Sequence, residues 1–220
     1  AGTLSPSFAA GTTSYTATVS NATSSLTITP TVADANATVT VNGTTVASGS
    51  ASGPIALNVG DNSITTVVTA QDGSTTQTYA ITVTRAPSAN ANLGALALSV
   101  GTISPSFAAG TTSYTANVTN GTTGLTVTPT TADATATLTV NGSTVTSGSA
   151  SSSIPLSVGA NTITVVVTAQ DGTTTQTYTV TVTRAASSNA DLSNVVLSAG
   201  TLSPSFSAST TTYTATVANA

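Results

Sequence analysis

The chain has 220 residues, only 4% of them charged, and a net charge of −4 from six aspartates against Arg85 and Arg184. An ordinary soluble domain is about 25% charged, and this one also lacks Cys, Met, Trp, His, Lys and Glu. Those absences exclude a disulfide frame, lysine cross-links and imidazole or thiol chemistry, together with the clustered positive charge that nucleic acid demands.

Apolar residues make up 39% of the chain, enough to bury a core rather than remain disordered. No apolar run approaches the roughly 20 residues that would span a bilayer, so no membrane insertion is expected in this segment. Ala1 opens no secretory signal pattern, and the segment reads as internal to a longer precursor. The phrase "GTLSPSFAAGTTSYTATVSN" at Gly2 returns as "GTISPSFAAGTTSYTANVTN" at Gly101 and as "GTLSPSFSASTTTYTATVAN" at Gly200, spaced by 99 residues each time. A repeat of that length with most positions retained is a string of domain-sized beads rather than a solenoid.

In chain order, "SYTATV" alternates Tyr15, Ala17 and Val19 with threonines, and "LTIT" does the same with Leu26 and Ile28, the period of a half-buried strand. "ATVTVNGTTVAS" reads as two strands around Asn42-Gly43, a dipeptide suited to a two-residue type I′ turn because both of its residues need positive φ. That turn sets Val39 opposite Val46. "SITTVVTAQDGSTTQTYAITVTR" repeats the device around Asp72-Gly73, setting Ile64 opposite Ile81 and Thr66 opposite Tyr79. "APSANA" is a short polar linker, after which "NLGALALSV" supplies a strand bearing Leu93, Leu96 and Leu98. Its later counterpart, "DLSNVVLSA", carries Leu192, Val195 and Leu197.

Short alternating strands with turn signals about every ten residues predict tandem antiparallel β-sandwiches of the immunoglobulin type, an all-β class. The expected units are 1–86, a sandwich repeat lacking its first strand; 91–185, a complete repeat; and 190–220, the opening strands of a third. The phrases "SPSFAAGTTSYTATV", "ATVTVNGTTV", "IALNVGDNSITTVVTAQDG" and "YAITVTR" resemble the cadherin-like β-sandwich repeat of large bacterial surface and secreted proteins. The resemblance implies tandem extracellular modules with no single assigned activity. The scarcity of charge sets the chain apart from calcium-clamped variants.

Candidate chemistry is sparse. Of the side chains that usually perform acid–base work, only Asp and Tyr are present. Asp72 and Asp171 belong to turns, Asp34 and Asp133 to loops, and the tyrosines to the core, so no catalytic residue is expected. No DxD-type cluster gathers the six to eight oxygens that Ca²⁺ wants, and neither metal nor cofactor is expected. Rows such as Thr27/Thr29 and Thr82/Thr84 are what a charge-poor pleated surface contains. Six Asn-x-Ser/Thr sequons, at Asn21, Asn36, Asn42, Asn117, Asn120 and Asn141, are candidate glycan acceptors.

The expected function is a structural repeat of an extracellular bacterial fibre, filament or surface-protein stalk, not an enzyme, with homotypic partners in neighbouring repeats or subunits. The alternative is a carbohydrate- or protein-binding adhesive module, for which Phe8, Phe107 and Phe206 are the aromatic candidates. Without its first strand, the first unit lacks burial for about three aliphatic side chains, worth roughly 5 to 9 kcal/mol. The expected filler of such a vacancy is the preceding bead of a longer covalent chain; the alternative is strand addition from a neighbouring molecule in a head-to-tail arrangement, with Leu192, Val195 and Leu197 as possible strand-donor anchors.

Overall fold

The computed structural model describes residues 2–218. The first unit comprises β1 (Ser14–Val19), β2 (Ser25–Leu26), β3 (Thr38–Val41), β4 (Thr44–Val46), β5 (Ile55–Ala56), β6 (Gly60–Thr69) and β7 (Thr76–Arg85). The second comprises β8 (Leu93–Leu98), β9 (Ser113–Val118), β10 (Gly124–Leu125), β11 (Val127–Thr131), β12 (Thr137–Val140), β13 (Ser143–Val145), β14 (Ile154–Pro155), β15 (Gly159–Thr168) and β16 (Thr175–Arg184). A last pair, β17 (Thr201–Ser203) and β18 (Thr214–Thr216), is antiparallel.

Each unit is built on one five-stranded sheet, ordered β4-β3-β6-β7-β1 in the first and β13-β12-β15-β16-β9 in the second. In the second unit a facing layer is made by the β8–β11 and β10–β14 pairs. Alternation puts Tyr114, Ala116, Leu138, Ile163, Val165, Val167, Tyr178 and Val180 inward, where they close on Leu93, Leu96, Leu125 and Val127. This is the expected all-β sandwich. One edge pair in each sheet runs parallel, β1 with β7 and β9 with β16. A parallel neighbour requires a long crossover, and here the whole intervening unit provides it.

The registers read from the turns hold, with Val39 facing Val46, Ile64 facing Ile81 and Thr66 facing Tyr79. Asn42 and Gly43 both have positive φ, at 46° and 80°, as the type I′ turn requires. The Asp72-Gly73 turn differs from expectation. Only Gly73 is left-handed, and Ala70 N–H bonds the carbonyl of Thr75 across a longer loop. The side chain of Asp72 accepts the N–H groups of Ser74 and Thr75 at 2.9 and 2.8 Å, replacing the tight turn with a side-chain-capped one. Both loops share a midpoint, so the register is unchanged.

The opening glycine of each copy is explained by a close approach. A Cβ on Gly101, whose φ is 84°, would lie 3.2 Å from the carbonyl oxygen of Asn117, and one on Gly200 would lie 2.7 Å from that of Thr216. The backbone of the phrase thus lies against the strand that follows it. Ser5 and Ser104 bridge to Thr16 and Thr115 in the same way. The Ser-Pro peptide is cis in all three copies. The next tyrosine closes the loop: the hydroxyl of Tyr15 lies 2.8 Å from the carbonyls of both Ala9 and Thr12, and Tyr114 repeats this with Ala108 and Thr111.

Candidate interaction surface

The two units differ at the position of one strand. In the second, β8 lies antiparallel on β11, with Leu98 opposite Val127, Leu96 opposite Pro129 and Leu93 opposite Thr131 across a bulge. Leu93 N–H donates to the Tyr178 hydroxyl at 3.0 Å, so the buried phenol and the strand's first amide satisfy each other. Val127, Val167 and Tyr178 are all 0% exposed.

In the first unit no described strand occupies the corresponding place. Residues 27–32 form no strand, because an isolated edge has no ladder to join. The expectation that "LTIT" is a strand through Ile28 is therefore corrected: β2 stops at Leu26. Leu26, Ile28, Val68 and Tyr79, whose counterparts in the second unit are buried, are only half-buried. The Tyr79 hydroxyl has only a long, 3.4 Å contact with the carbonyl of Ala10. Thr66, which replaces Val165 on the inward face, has a buried hydroxyl oxygen without a hydrogen-bond partner. Leu26, Ile28, Val68 and Tyr79 thus form a half-buried apolar patch at the position that β8 covers in the second unit.

A segment of matching character lies exposed elsewhere on the chain. Leu192 is 62% exposed, Val196 and Leu197 are exposed, and Val195 is half-buried. Residues 191–198 form no strand. The segment leading into it is nevertheless preset: Asn189 N–H bonds the Ser187 hydroxyl and Asp191 N–H bonds Asn189 Oδ1. Asn90 and Asn92 do the same ahead of β8.

The short polar linker between units is pinned on both sides. On the first unit, Ala86 donates to the carbonyl of Val19 at 3.0 Å and accepts from Asn21 Nδ2 at 3.1 Å. On the second unit, Ser88 N–H donates to Gln170 Oε1 at 2.9 Å, and its carbonyl accepts Asp171 N–H at 3.1 Å. The Ser88 side chain, followed by the Thr135 hydroxyl and N–H, holds the Asp133 carboxyl below the usual range. Only Pro87 separates the two anchorages, and its ring fixes φ. Arg85 completes the joint by donating to the carbonyls of Asn21 and Leu57 at 2.8 and 2.9 Å. Arg184 copies this with Asn120 and Leu156.

The chain therefore enters the second unit beside the β15–β16 turn and leaves at Arg184, the other end of ten-residue β16. Sequence reasoning missed Ser88, Gln170 and this role of Asn21, because contacts across 65 and 82 residues leave no local pattern. Recurrence of the Asn–Arg spacing in both units was the available signal.

A family model described as "Cadherin-like beta sandwich domain" matches residues 1–86 and 93–185. The chain belongs to that family. A search of curated proteins finds no match. Among solved structures, titin domains Z1Z2 in complex with telethonin are 12% identical at a TM-score of 0.32, over 67% of this chain and 80% of that one. Protocadherin Gamma B7 extracellular cadherin domains 1-4 are 12% identical at 0.28, over 87% and 56%. The fibronectin(III)-like modules of Clostridium thermocellum CbhA are 14% identical at 0.21, over 84% and 95%.

The remaining candidate residues of the cadherin-like repeats are the sequon asparagines, the aspartates and the phenylalanines. Among the sequons, Asn21 and Asn120 use their side-chain amides to clamp Ala86 and Ala185, and Asn36 donates to Asp34. Asn42 and Asn141 accept from Thr65 and Thr164 through Oδ1, while Asn117 stands exposed on β9. The carboxyls of Asp72 and Asp171 are held at about 2 by the hydroxyls and N–H groups of Thr75 and Thr174, which makes them turn caps that stay charged.

Phe8, Phe107 and Phe206 each stack one face on Tyr15, Tyr114 or Tyr213, at 5.8 to 6.1 Å. Phe8 is 65% exposed, and the other two are half-buried. Beside each type I′ hairpin lies an open groove of about 390 Å³ in the second unit and about 410 Å³ in the first, lined by no ionisable side chain. Among the described residues no three Asp gather as a metal cluster.

Proposed function

We propose that these cadherin-like repeats are a structural array, part of an extracellular bacterial fibre, filament or surface-protein stalk, and that copies associate with one another. The reading rests on the placement of entry and exit at opposite poles of a bead. With β16 ten residues long, each bead advances the chain by about 34 Å, and the one-residue joint passes that advance on without slack. Repetition then extends reach, which is the property a stalk needs and a single binding site does not. Immunogold labelling of thin-sectioned cells with antibody to the repeats, followed by micrographs of shed material, tests the proposal. Label along extended surface structures supports it, whereas label confined to the cell interior overturns it.

Exposed Phe8 favours a second reading, adhesion to carbohydrate through aromatic stacking. Binding on a glycan array that is lost in Phe8→Ala would carry that reading.

A further inference from the structure

We propose that the second unit carries tension along its strands and, when overloaded, lengthens in two stages. Tension is a demand beyond the reach ascribed to a stalk above, and it is measured on the purified protein, so the two readings fail separately. The basis is the direction in which the chain crosses the bead. β16 runs from the entry pole, beside Ser88, to the exit pole at Arg184. β8 runs the same way: Leu93 N–H bonds Tyr178 early in β16, and Leu98 pairs with Val127, two residues beyond β10. There β10 pairs with β14, and Leu156, just past β14, accepts from Arg184. β9 is parallel to β16 as far as the pairing of Val118 with Arg184.

A pull from both sides therefore draws strands lengthwise past their neighbours. Hydrogen bonds between strands cross the strand direction, so this pull loads the bonds of a ladder together. A pull on two strand ends at one pole would instead open a ladder bond by bond.

The ladders that transmit the load are unequal. β8 has β11 as its sole partner, and that register shifts at Thr130/Thr131 and includes Pro129, which has no N–H. β16 is held on both sides, by β15 along all ten residues and by β9. The β9 ladder is closed at its ends by Thr179 N–H on the carbonyl of Thr112 at 2.8 Å and Ala185 N–H on that of Val118 at 3.0 Å. β8 is thus the element that slips first. The bridge of Ser104 to Thr115 is then pulled open from one end, and the load arrives at the start of β9. The β9–β16 ladder, still in shear, is the second catch. Leu93 and Ser113 both sit beside the Tyr178–Thr179 stretch of β16, so freeing residues 93–112 adds about 60 to 70 Å of chain.

The chain has no cysteine, so two introduced thiols define the points of pull in single-molecule force spectroscopy of the 220-residue protein. Ala89→Cys with Ala186→Cys loads the second unit from pole to pole. Ala160→Cys with Ala186→Cys pulls two exposed sites at one pole, by the adjacent ends of β15 and β16. Pole-to-pole unfolding is expected to need several-fold more force. It should proceed in two steps, of about 60 to 70 Å and then more than about 200 Å. Leu96→Ala, which weakens only the seating of β8, should lower the force of the first step and leave that of the second. Equal forces in the two directions, a single full-length step from pole to pole, or a first step that Leu96→Ala leaves unchanged would each overturn the proposal.

Discussion

Thr66 shows how a single hydroxyl can be read against its own copy. Its inward oxygen has no partner, and burial of an unsatisfied polar group costs about 1 to 3 kcal/mol. The second unit carries Val165 there, of the same shape and fully buried. Thr66→Val is expected to stabilise the first unit by about 1 kcal/mol, seen as a higher denaturant midpoint with unchanged slope. A lower midpoint would mean that the hydroxyl finds a partner in solution.

The aspartate caps set the acid limit. A carboxyl held at about 2 when folded, against 3.8 ordinarily, has a depressed folded pKa, so its stabilisation is fully present above 3.8. It is lost as pH falls towards 2, where the unfolded chain takes up the proton first. Thermal midpoints should be flat from about pH 5 to 9 and should fall below about pH 4. Thr75→Ala with Thr174→Ala should weaken that acid dependence, because both substitutions remove the hydroxyl that contributes most to the shift.

At the scale of the element, the contact with β8 makes two equivalent tyrosines inequivalent. Removing the hydroxyl of Tyr178 leaves the buried N–H of Leu93 without its acceptor, so Tyr178→Phe should cost about 1 to 3 kcal/mol. Tyr79→Phe should stay within about 0.5 kcal/mol in the monomer, and chemical denaturation of each variant checks the pair.

The same comparison marks what could be read beforehand. Asn42-Gly43 prescribes a turn, and the turn prescribes the register, so Val39 opposite Val46 was legible from a dozen residues. The parallel seating of β1 beside β7 was not, because period-two alternation assigns a side chain to a face without naming the neighbouring strand. The end of β2 at Leu26 was hidden for a related reason: whether "LTIT" extends depends on a partner strand, not on its own propensities. For the candidate surface, the likeness of Leu192, Val195 and Leu197 to Leu93, Leu96 and Leu98 follows from the repeat. The polar joint does not, since an ordinary serine and glutamine 82 residues apart carry no mark of their meeting.

At the scale of the whole molecule, stability comes from two apolar cores and from hydrogen bonds, and among the described residues no three carboxylates gather as a metal cluster. Melting temperatures should therefore be the same with and without EDTA, and with and without reductant. A fall of several degrees with EDTA would indicate a bound cation. The joint also predicts a shape parameter. If Ala86 and Ser88 stay anchored, insertion of Gly-Ser-Gly-Ser after Pro87 should broaden the interparticle distance distribution in small-angle scattering while leaving both melting transitions in place.

The single proline between two anchored residues has a geometric consequence. A loose tether randomises direction at every junction, so end-to-end distance grows only as the square root of the number of segments. A tether reduced to Pro87 transmits whatever turn and tilt one bead has to the next, and identical increments compound instead of averaging out. Repetition of one fixed increment generates a screw, whose pitch is written in two backbone torsions and whose length is proportional to the count of beads. Where Ala186 stands in place of Pro87, the same screw gains one softer thread.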